Sequence, residues 1–344
     1  MTKTFFEQLE ASSQRLFNLL AKFERPSILV VGDLALDEFV TGEVERLSRE
    51  APVLILRHEN TVQIPGGGGN AVYNLAKLGA RVQVAGLVGN DPQGTALKEI
   101  FVKAGIGING LIAEDDRATV TKTRISGHAR QSVTQQIVRL DRKPDHPPSE
   151  DSLAQVANFV KKSAIAVDAV VCSDYGDGVF SQGVIASALT HSSVIVDTQS
   201  NLPRYQGATL FTPNLPEAEK AVGYAISNEA LLQKAGKDLL SLTQAKYILI
   251  TRGDQGMSLF SQAGEVHHIP PFNRTDVFDV TGAGDTVVAG LTISLCAGAT
   301  AYEAAVLGNL AASIVVRQFG TATTTREEME VALQTLLDDP SLLD

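Results

Sequence analysis

Short apolar runs separated by segments of helical period dominate the hydrophobic pattern of the chain. Runs of this kind, bounded by turn residues or carboxylates, predict buried parallel strands. They occupy residues 28–31, 82–87, 169–172, 194–196 and 247–250. Asp33, Asp174 and Asp197 follow three of these runs. Because ligands in open α/β sheets bind at the carboxyl edge of the strands, the pattern predicts a doubly wound, mostly parallel sheet flanked by helices, with a site along that edge.

Two other segments alternate strictly between apolar and polar residues. Alternation places Lys122 and Arg124 on one face of residues 119–125, and Arg139 on one face of residues 136–141. Such strands are solvated or ligand-facing on one side. We interpret them as a small β-sheet that forms a lid over the main domain, with strands drawn from about 38–58 and 118–142.

The first 27 residues predict an amphipathic helical extension docked on a main domain of residues 28–344. Leu9, Leu16 and Leu19 are apolar, but Glu7 and Glu10 interrupt the stretch, which therefore differs from a signal peptide. No run in the sequence approaches the roughly 18 apolar residues that a membrane span needs. We therefore expect a cytoplasmic protein without a membrane partner.

Composition narrows the functional classes. The formal net charge is −10, from 29 basic and 39 acidic residues, which argues against a sequence-independent grip on nucleic acid. Cys172 and Cys296 are too few for a disulfide framework or a four-ligand zinc site, so a reducing compartment is the simple interpretation.

The strongest chemical signal is Asp-Val-Thr-Gly-Ala-Gly-Asp-Thr at residues 279–286, followed by a small-residue, apolar helix pattern. Glycines at the start of a helix let backbone N–H groups converge, and the helix dipole adds positive potential. Gly282, Ala283 and Gly284 would then form an anion hole, and Asp285 could take a proton from a hydroxyl that attacks a phosphoryl group. In isolation, a tight turn with a capping Asp is the commoner interpretation.

A second glycine-rich stretch, Pro-Gly-Gly-Gly-Gly-Asn at residues 65–70, opens into an apolar-periodic segment. Four glycines cost conformational entropy, so we expect a ligand to pack against the bare backbone of Gly67 and Gly68. Asn70 could read sugar hydroxyls with its donor and its acceptor. A flexible linker is the alternative. Asp37 could accept hydrogen bonds from a diol, although helix capping is as common for such a residue.

Together these motifs resemble the ribokinase family, also called the PfkB carbohydrate kinases, from about residue 28 to residue 323. The resemblance implies a ribokinase-like fold and an ATP-dependent sugar kinase. It makes Asp285 the catalytic base and places the amides of residues 282–284 around the transferred phosphate. The residues that it assigns to the sugar are Asp37, Gly67, Gly68 and Asn70.

The resemblance also assigns a nucleotide side. The matching residues are Asn214, Glu217, Thr251, Gly253, Gly256, Asn309 and Gly320. Asn214 and Glu217 would position Mg²⁺, through water at Glu217, together with the phosphates of ATP, and Asn309 and Gly320 would close the adenine pocket. Asp279 and Thr281 lie where family members hold a monovalent cation such as K⁺. Family members often pair through the lid, so a homodimer is expected.

Within the family, several stretches resemble the kinases that phosphorylate D-glycero-β-D-manno-heptose 7-phosphate at its anomeric hydroxyl, on the route to ADP-heptose. They are residues 31–33, 36–37, 50–53, 121–124, 137–141, 173–175 and 204–210. A distal phosphate would give Lys122, Arg124 and Arg139 a role, although a solvated strand face is the other interpretation. For Asp174, sugar contact and structural capping both remain open.

One departure bears on the sugar. Where that subfamily has Asp-Pro-Lys, this chain has Asp-Thr-Gln at residues 197–199, which removes a cation near the expected phosphate region. A ribokinase- or fructokinase-like activity, or a sugar-phosphate binding protein without catalysis, therefore stays open. The His-x-Gly-His motif of a nucleotidyltransferase is not found in the sequence, so a kinase alone is expected.

Overall fold

The computed structural model describes residues 5–129, 134–199, 201–272, 279–318 and 320–339. The helices are α1 (Phe5–Leu20), α2 (Gly68–Lys77), α3 (Pro92–Lys103), α4 (Glu150–Ser163), α5 (Gln182–Ala188), α6 (Leu215–Val222), α7 (Glu229–Thr243), α8 (Ala283–Cys296), α9 (Ala301–Val315) and α10 (Arg326–Asp338). The strands of the larger sheet are β1 (Ser27–Gly32), β4 (Arg81–Gly89), β5 (Gly107–Glu114), β8 (Ala169–Asp174), β9 (Val194–Thr198), β10 (Leu210–Phe211), β11 (Tyr247–Thr251), β12 (Met257–Ser261) and β13 (Val266–Ile269). Those of the smaller sheet are β2 (Leu34–Leu47), β3 (Leu54–Gly67), β6 (Val120–His128) and β7 (Gln135–Arg142).

The larger sheet has the order β13-β12-β11-β10-β9-β8-β1-β4-β5. Its strands are parallel except β12 and β13, which are antiparallel at one edge. At the centre, Val30 of β1 lies opposite Val84 of β4 and Val171 of β8. All five predicted apolar runs are strands of this sheet, which confirms the doubly wound, mostly parallel architecture. β5 and β10 were missed because glycines interrupt the one and the other is only two residues long.

Helices cover both faces of the larger sheet. Ile28 and Val30 belong to a core that includes buried residues of α1, α2, α3, α8, α9 and α10, whereas Leu29 and Val31 belong to a core that includes buried residues of α4 to α7. Successive side chains of a strand point to opposite faces, so a strand covered on both sides must be apolar throughout. This burial explains why the central strands appear in the sequence as continuous apolar runs.

Helix α1 lies on the first of these faces. Leu9, Leu16, Leu19 and Leu20 are buried in the core that α1 shares with α10. Arg15 forms an ion pair with Glu303 of α9. Among the helices of the described ranges, none is both long and apolar enough to cross a membrane.

The smaller sheet has the order β3-β2-β6-β7 and corresponds to the expected lid. Its register pairs Asp37 with Lys122, Lys122 with Asp141, and Arg124 with Arg139, so these side chains share one face. The lid strands extend further than expected, because Leu34 pairs with Gly67 and residues 34–37 belong to β2. Residues 130–133 of the predicted lid lie outside the described residues.

Candidate active site

A small cavity lies where the carboxyl ends of the central strands meet the start of α8. It has a volume of about 150 Å³. Its lining residues are Asp174, Tyr175, Asp197, Gln199, Thr212, Asn214, Glu217, Thr251, Gly282, Gly284 and Asp285. Parallel strands bring residues far apart in sequence to one edge, as the hydrophobic pattern predicted.

Asp285 is the third residue of α8, and its side chain is buried beside this cavity. The Asn70 side-chain amide donates to Oδ2 at 2.9 Å, and the Tyr175 hydroxyl donates to Oδ1 at 2.9 Å. Burial raises the pKa of Asp285 to about 6, although both donors and the Lys122 ammonium favour the charged form. The carboxylate is therefore largely ionised at neutral pH and can accept a proton.

Asn70 has hydrogen-bond partners within the protein at both ends of its side chain, and its expected contact with a sugar stays a prediction. Its Nδ2 donates to Asp285, and its Oδ1 accepts a hydrogen bond from the Asn74 amide at 3.0 Å. The predicted sugar-reading role used both ends of this side chain, and both ends have protein partners. The geometry makes Asn70 a support for the Asp285 carboxylate.

The glycine turn before α8 differs from the expected arrangement of amides. The Ala283 amide donates to the Val280 carbonyl at 3.2 Å, so it is not available to an anion. The amides of Gly284 and Asp285, within the first turn of α8, have no acceptor inside the helix. The amides of Gly284 and Asp285 are therefore candidates for binding an anion, and the anion hole expected at residues 282–284 stays a prediction.

Gly282 and Gly284 have different structural reasons to be glycine. Gly282 has φ 78°, and a Cβ there would lie 2.4 Å from Nδ2 of Asn70. A Cβ on Gly284 would meet nothing within 4 Å. Gly282 is required by the fold, whereas the absence of a side chain at Gly284 leaves space at the cavity.

Gly67 and Gly68 lie close to protein backbone, which gives a structural reason for these glycines, and the expected ligand contact at both residues stays a prediction. Gly67 has φ 53°, and a Cβ there would lie 2.9 Å from the Asp33 carbonyl oxygen. A Cβ on Gly68 would lie 3.1 Å from Cα of Gly32. Only glycine allows this close approach between the start of α2 and the end of β1.

A larger cavity of about 430 Å³ adjoins the first one and shares Thr251 and Gly284 with it. Of the residues expected on the nucleotide side, it is lined by Thr251, Gly253, Gly256 and Asn309. Apolar residues complete the wall: Met257, Pro271, Phe272, Val280, Val287, Ala312 and Val316. The size and apolar lining suit a planar heterocycle.

Gly320 is not part of this wall. Its amide donates to Oδ2 of Asp279 at 3.0 Å, and a Cβ there would lie 3.0 Å from the Phe39 ring of the lid. The expectation that Gly320 closes the adenine pocket stays a prediction. The apolar wall residues were missed, because an apolar residue that lines a cavity has no sequence signal distinct from a core residue.

Asn214 and Glu217 form a capping box at the start of α6. The Glu217 amide donates to Oδ1 of Asn214, and the Asn214 amide donates to Oε2 of Glu217, both at 2.9 Å. Both residues also border the small cavity. Both residues therefore stabilise the start of α6. Their position at the cavity is compatible with the expected role in positioning Mg²⁺ and the phosphates of ATP, which stays a prediction.

Asp197 is a candidate that sequence reasoning left out, although its place at the end of β9 was a usable signal. Burial and the carboxylates of Asp285 and Glu217 raise the pKa of Asp197 well above its usual range, and burial also raises the pKa of Glu217. Four carboxyl groups, those of Asp174, Asp197, Glu217 and Asp285, thus line one small cavity, an arrangement that a cation would stabilise. In the part of the chain that the structure describes, no three such groups are close enough to bind a metal directly.

The sequence matches the model of the family described as "pfkB family carbohydrate kinase" over residues 25–328. The chain belongs to this family. Its members are phosphotransferases that act on a sugar hydroxyl, so the chain is a carbohydrate kinase. The family membership that the sequence motifs predicted is confirmed.

Curated relatives and solved structures agree with this membership. "Bifunctional protein HldE" of Desulfatibacillum aliphaticivorans and that of Geobacter metallireducens are each 40% identical over 318 residues, which cover 91% of this chain and 64% of theirs. The chain thus spans about 64% of the length of these relatives.

Two solved structures show the same fold at low sequence identity. An Arabidopsis thaliana ribokinase complexed with ribose and ATP has a TM-score of 0.67 at 19% identity, and phosphofructokinase-2 from Escherichia coli has 0.72 at 20%. Each covers 91% of this chain and 99% of its own. The ribokinase-like fold is therefore confirmed.

In this kinase, two of the three predicted lid cations have carboxylate partners. Nη1 of Arg124 lies 3.0 Å from Oδ1 of Asp37, and Arg139 donates twice to Asp141, at 2.7 and 2.6 Å. Nζ of Lys122 lies 5.7 Å from the centre of the Tyr175 ring. The shared face of the lid is as predicted, but Asp37 and Arg124 bind each other.

Asp174 of the kinase makes the structural contacts expected of a capping residue, and its expected contact with a sugar stays a prediction. Its Oδ2 accepts from the Tyr205 hydroxyl at 2.7 Å, and its Oδ1 accepts from the Gly176 amide at 3.0 Å. Arg204 lies 3.7 Å away. Asp174 borders the small cavity, and its carboxylate also joins the end of β8 to the segment that carries Arg204 and Tyr205.

Asp279 accepts three hydrogen bonds: from the amide and hydroxyl of Thr281, at 2.9 and 2.6 Å, and from the Gly320 amide. Although burial acts in the opposite direction, these donors lower the pKa of Asp279. Residues 273–278, which precede it, lie outside the described residues. The potassium site at Asp279 and Thr281 stays a prediction.

Proposed function

We propose that the chain is an ATP-dependent kinase that phosphorylates the anomeric hydroxyl of D-glycero-β-D-manno-heptose 7-phosphate. The observation that carries the chemistry is the buried, doubly hydrogen-bonded Asp285 at a glycine turn, next to two connected cavities and under a cationic lid face. The choice of sugar rests on the resemblance of the sequence motifs and on the 40% identity to proteins named HldE, whose kinase domain acts on heptose 7-phosphate.

The proposed reaction follows from the positions of these groups. The nucleoside of ATP occupies the 430 Å³ cavity, so that its phosphates extend past Thr251 and Gly284 into the small cavity. Asp285 accepts the proton of the acceptor hydroxyl, whose oxygen attacks the γ-phosphorus in line. The first-turn amides of Gly284 and Asp285, with the dipole of α8, stabilise the charge that develops on the transferred group.

Mg²⁺ fits the carboxylates of the small cavity. Asp197 and Glu217 border the space that the ATP phosphates would fill, and hard cations prefer such oxygen ligands. These residues would hold the ion mainly through water, and the bound ion would neutralise phosphate charge during transfer. No direct ligand set is required, because Mg²⁺ usually keeps several waters.

The distal phosphate of the sugar has one evident partner on the lid, Lys122. Arg124 and Arg139 could contribute if they shared their charge between a phosphate and the carboxylates Asp37 and Asp141. Their existing partners, together with Gln199 in place of a lysine, favour a second candidate, a kinase for an unphosphorylated sugar of this family.

A substrate panel separates the two candidates. ATP consumption is measured with D-glycero-β-D-manno-heptose 7-phosphate, the unphosphorylated heptose, ribose and fructose, with Asp285→Ala as the control for contaminating kinases. We expect kcat/KM to be highest for the 7-phosphate, and the substitution Lys122→Met to lower it for that sugar more than for the others. Turnover of unphosphorylated sugars alone would contradict the heptose 7-phosphate assignment.

We also propose that two copies pair through the outer face of the lid. Val138 and Leu140 of β7 are 49% and 50% exposed and lie on the face opposite to Arg139. Val138 pairs with Ile125 of β6, so the apolar surface extends across two strands. A contiguous exposed apolar surface of this kind is typical of a protein interface.

A further inference from the structure

The two oxygens of the Asp285 carboxylate are held by separate parts of the fold. Asn70, in the first turn of α2, donates to Oδ2, and Tyr175, after β8, donates to Oδ1, each at 2.9 Å. A carboxylate restrained at one oxygen could still rotate about its side-chain bonds. A donor at each oxygen fixes the plane of the group.

The loop that carries Tyr175 is itself anchored. Asp33 accepts hydrogen bonds from the backbone amides of Tyr175, Asp177 and Val179, each at 3.0 Å. Asp33 is buried directly after β1, an interior strand of the larger sheet. The Tyr175 hydroxyl is thus positioned by the core of the domain, and Lys122 of the lid lies over the tyrosine ring.

We propose that Tyr175 is a positioning residue for phosphoryl transfer, whose hydroxyl fixes the Asp285 carboxylate in the orientation that accepts the proton of the sugar. This inference rests on the role of Asp285 given under the proposed function. Tyr175 acts through Asp285 and takes no proton itself.

The hydrogen-bond capacity of the carboxylate is consistent with this role. Each oxygen of an ionised carboxyl can accept about two hydrogen bonds, so one donor at each oxygen leaves room for the acceptor hydroxyl. Burial and the nearby Asp285 raise the pKa of Tyr175 well above its usual value, so the phenol stays a donor. A donor to the ionised form lowers the pKa of Asp285 relative to its value without that donor.

Other charged groups also face Asp285 and remain in a variant at residue 175. They are Lys122 of β6, Asp37 of β2, Asp197 of β9 and Glu217 of α6. Lys122 favours the ionised form, and the carboxylates oppose it. Since these groups are common to both proteins, a difference between the parent and Tyr175→Phe reports the lost hydroxyl.

The test is Tyr175→Phe, which removes the hydroxyl and keeps the ring. The matched control is Tyr224→Phe, because the Tyr224 hydroxyl also donates to a carboxylate, Oδ2 of Asp238 at 2.8 Å, on a part-exposed surface remote from the small cavity. We expect Tyr175→Phe to lower kcat about 10- to 100-fold with the KM for ATP unchanged. The acidic limb of the pH profile of kcat should move to higher pH, and the control should match the parent.

Several outcomes would overturn the proposal. A kcat and pH profile equal to those of the parent would show that the hydroxyl does not position the base. A rise in the KM for the sugar at unchanged kcat would make Tyr175 a substrate contact instead. Both results leave the proposed function intact, provided that Asp285→Ala still abolishes activity.

A measurement without substrate tests the positioning role of Tyr175 independently of which sugar the kinase phosphorylates. Aspartate labelled with ¹³C at the carboxyl carbon is titrated by NMR in the parent, Tyr175→Phe and Tyr224→Phe, and Asp285→Asn identifies the signal. We expect the Asp285 signal to titrate at higher pH in Tyr175→Phe only. An unchanged titration would refute the positioning role, and failure of all sugars in the panel would refute the proposed function separately.

Discussion

Gly282 and Gly284 lie two residues apart in one motif, yet the structure predicts opposite effects on stability when each becomes alanine. In Gly282→Ala, the new Cβ requires a left-handed conformation and lies 2.4 Å from Nδ2 of Asn70. In Gly284→Ala, the new Cβ meets no atom within 4 Å. Comparing the two variants therefore separates an effect on stability from an effect on phosphoryl transfer.

The magnitudes follow from these contacts. For Gly282→Ala, the left-handed conformation costs about 1–2 kcal/mol, and displacing Asn70 from Asp285 costs about 1.5–3 kcal/mol more. Because the entropy of unfolding grows with chain length, we expect a fall of roughly 3–7 °C in Tm. Gly284→Ala should be neutral or stabilising by up to roughly 1 kcal/mol, since alanine is favoured over glycine in a helix.

Activity should fall in both variants. Gly282→Ala moves the donor that holds Asp285. Gly284→Ala places a methyl group where the two cavities join, and a displacement of about 1 Å in the reacting groups can cost roughly 100-fold in rate.

The assay combines thermal unfolding with steady-state kinetics on the sugar that the panel selects. The informative result is Gly284→Ala with a parental or higher Tm and a 10- to 100-fold lower kcat, about the range set by displaced reacting groups. Full activity in this folded variant would show that phosphate does not pass over residue 284. An unchanged Tm in Gly282→Ala would show that the contact with Asn70 does not constrain the fold.

Two further predictions concern the base and the lid. Asp285→Asn should lower turnover by several orders of magnitude while the ATP affinity, measured by calorimetry, stays near that of the parent; equal loss of both would contradict the assignment. Because the native pKa of Asp285 is raised to about 6, ionisation lowers stability as the pH rises from about 4 to about 6, so the variant should gain up to roughly 3 kcal/mol at pH 8 and lose this advantage toward pH 4. Leu140→Asp should convert a dimer into a monomer by light scattering, whereas Ile165→Asp, at an 86% exposed residue between α4 and β8, should not. A parent protein that is already monomeric would refute pairing through the lid.

Local sequence patterns predicted the framework and the chemical centre. Strands that are covered on both faces must be apolar, so the sequence pattern predicted β1, β4, β8, β9 and β11. The alternation in β6 and β7 placed Lys122, Arg124 and Arg139 on one face, since the side chains of a strand alternate. The glycine turn and Asp285 were recognisable because a helix start needs few neighbouring residues to create an anion site.

The tertiary partners of the site residues could not be predicted from the sequence. Nothing in the local sequence indicated that Asn70 supports Asp285, 215 residues away in sequence. Nor did it indicate that Asp37 pairs with Arg124 on the next lid strand. The glycines at residues 67 and 68 also allow the backbone at Gly32 and Asp33 to approach, and the sugar contacts expected of all these residues stay predictions.

Neighbouring residues were enough to predict five strands of the larger sheet, a helix start suited to an anion, and the carboxylate placed beside it. These features depend on local geometry, which is set by backbone conformation and hydrophobic period. The folded chain was needed to show which groups hold that carboxylate, how far its pKa rises and which first-turn amides lack a partner in the helix. Those properties depend on burial and on contacts between residues remote in sequence, because the energy of a buried charge is set by all the groups that replace water around it.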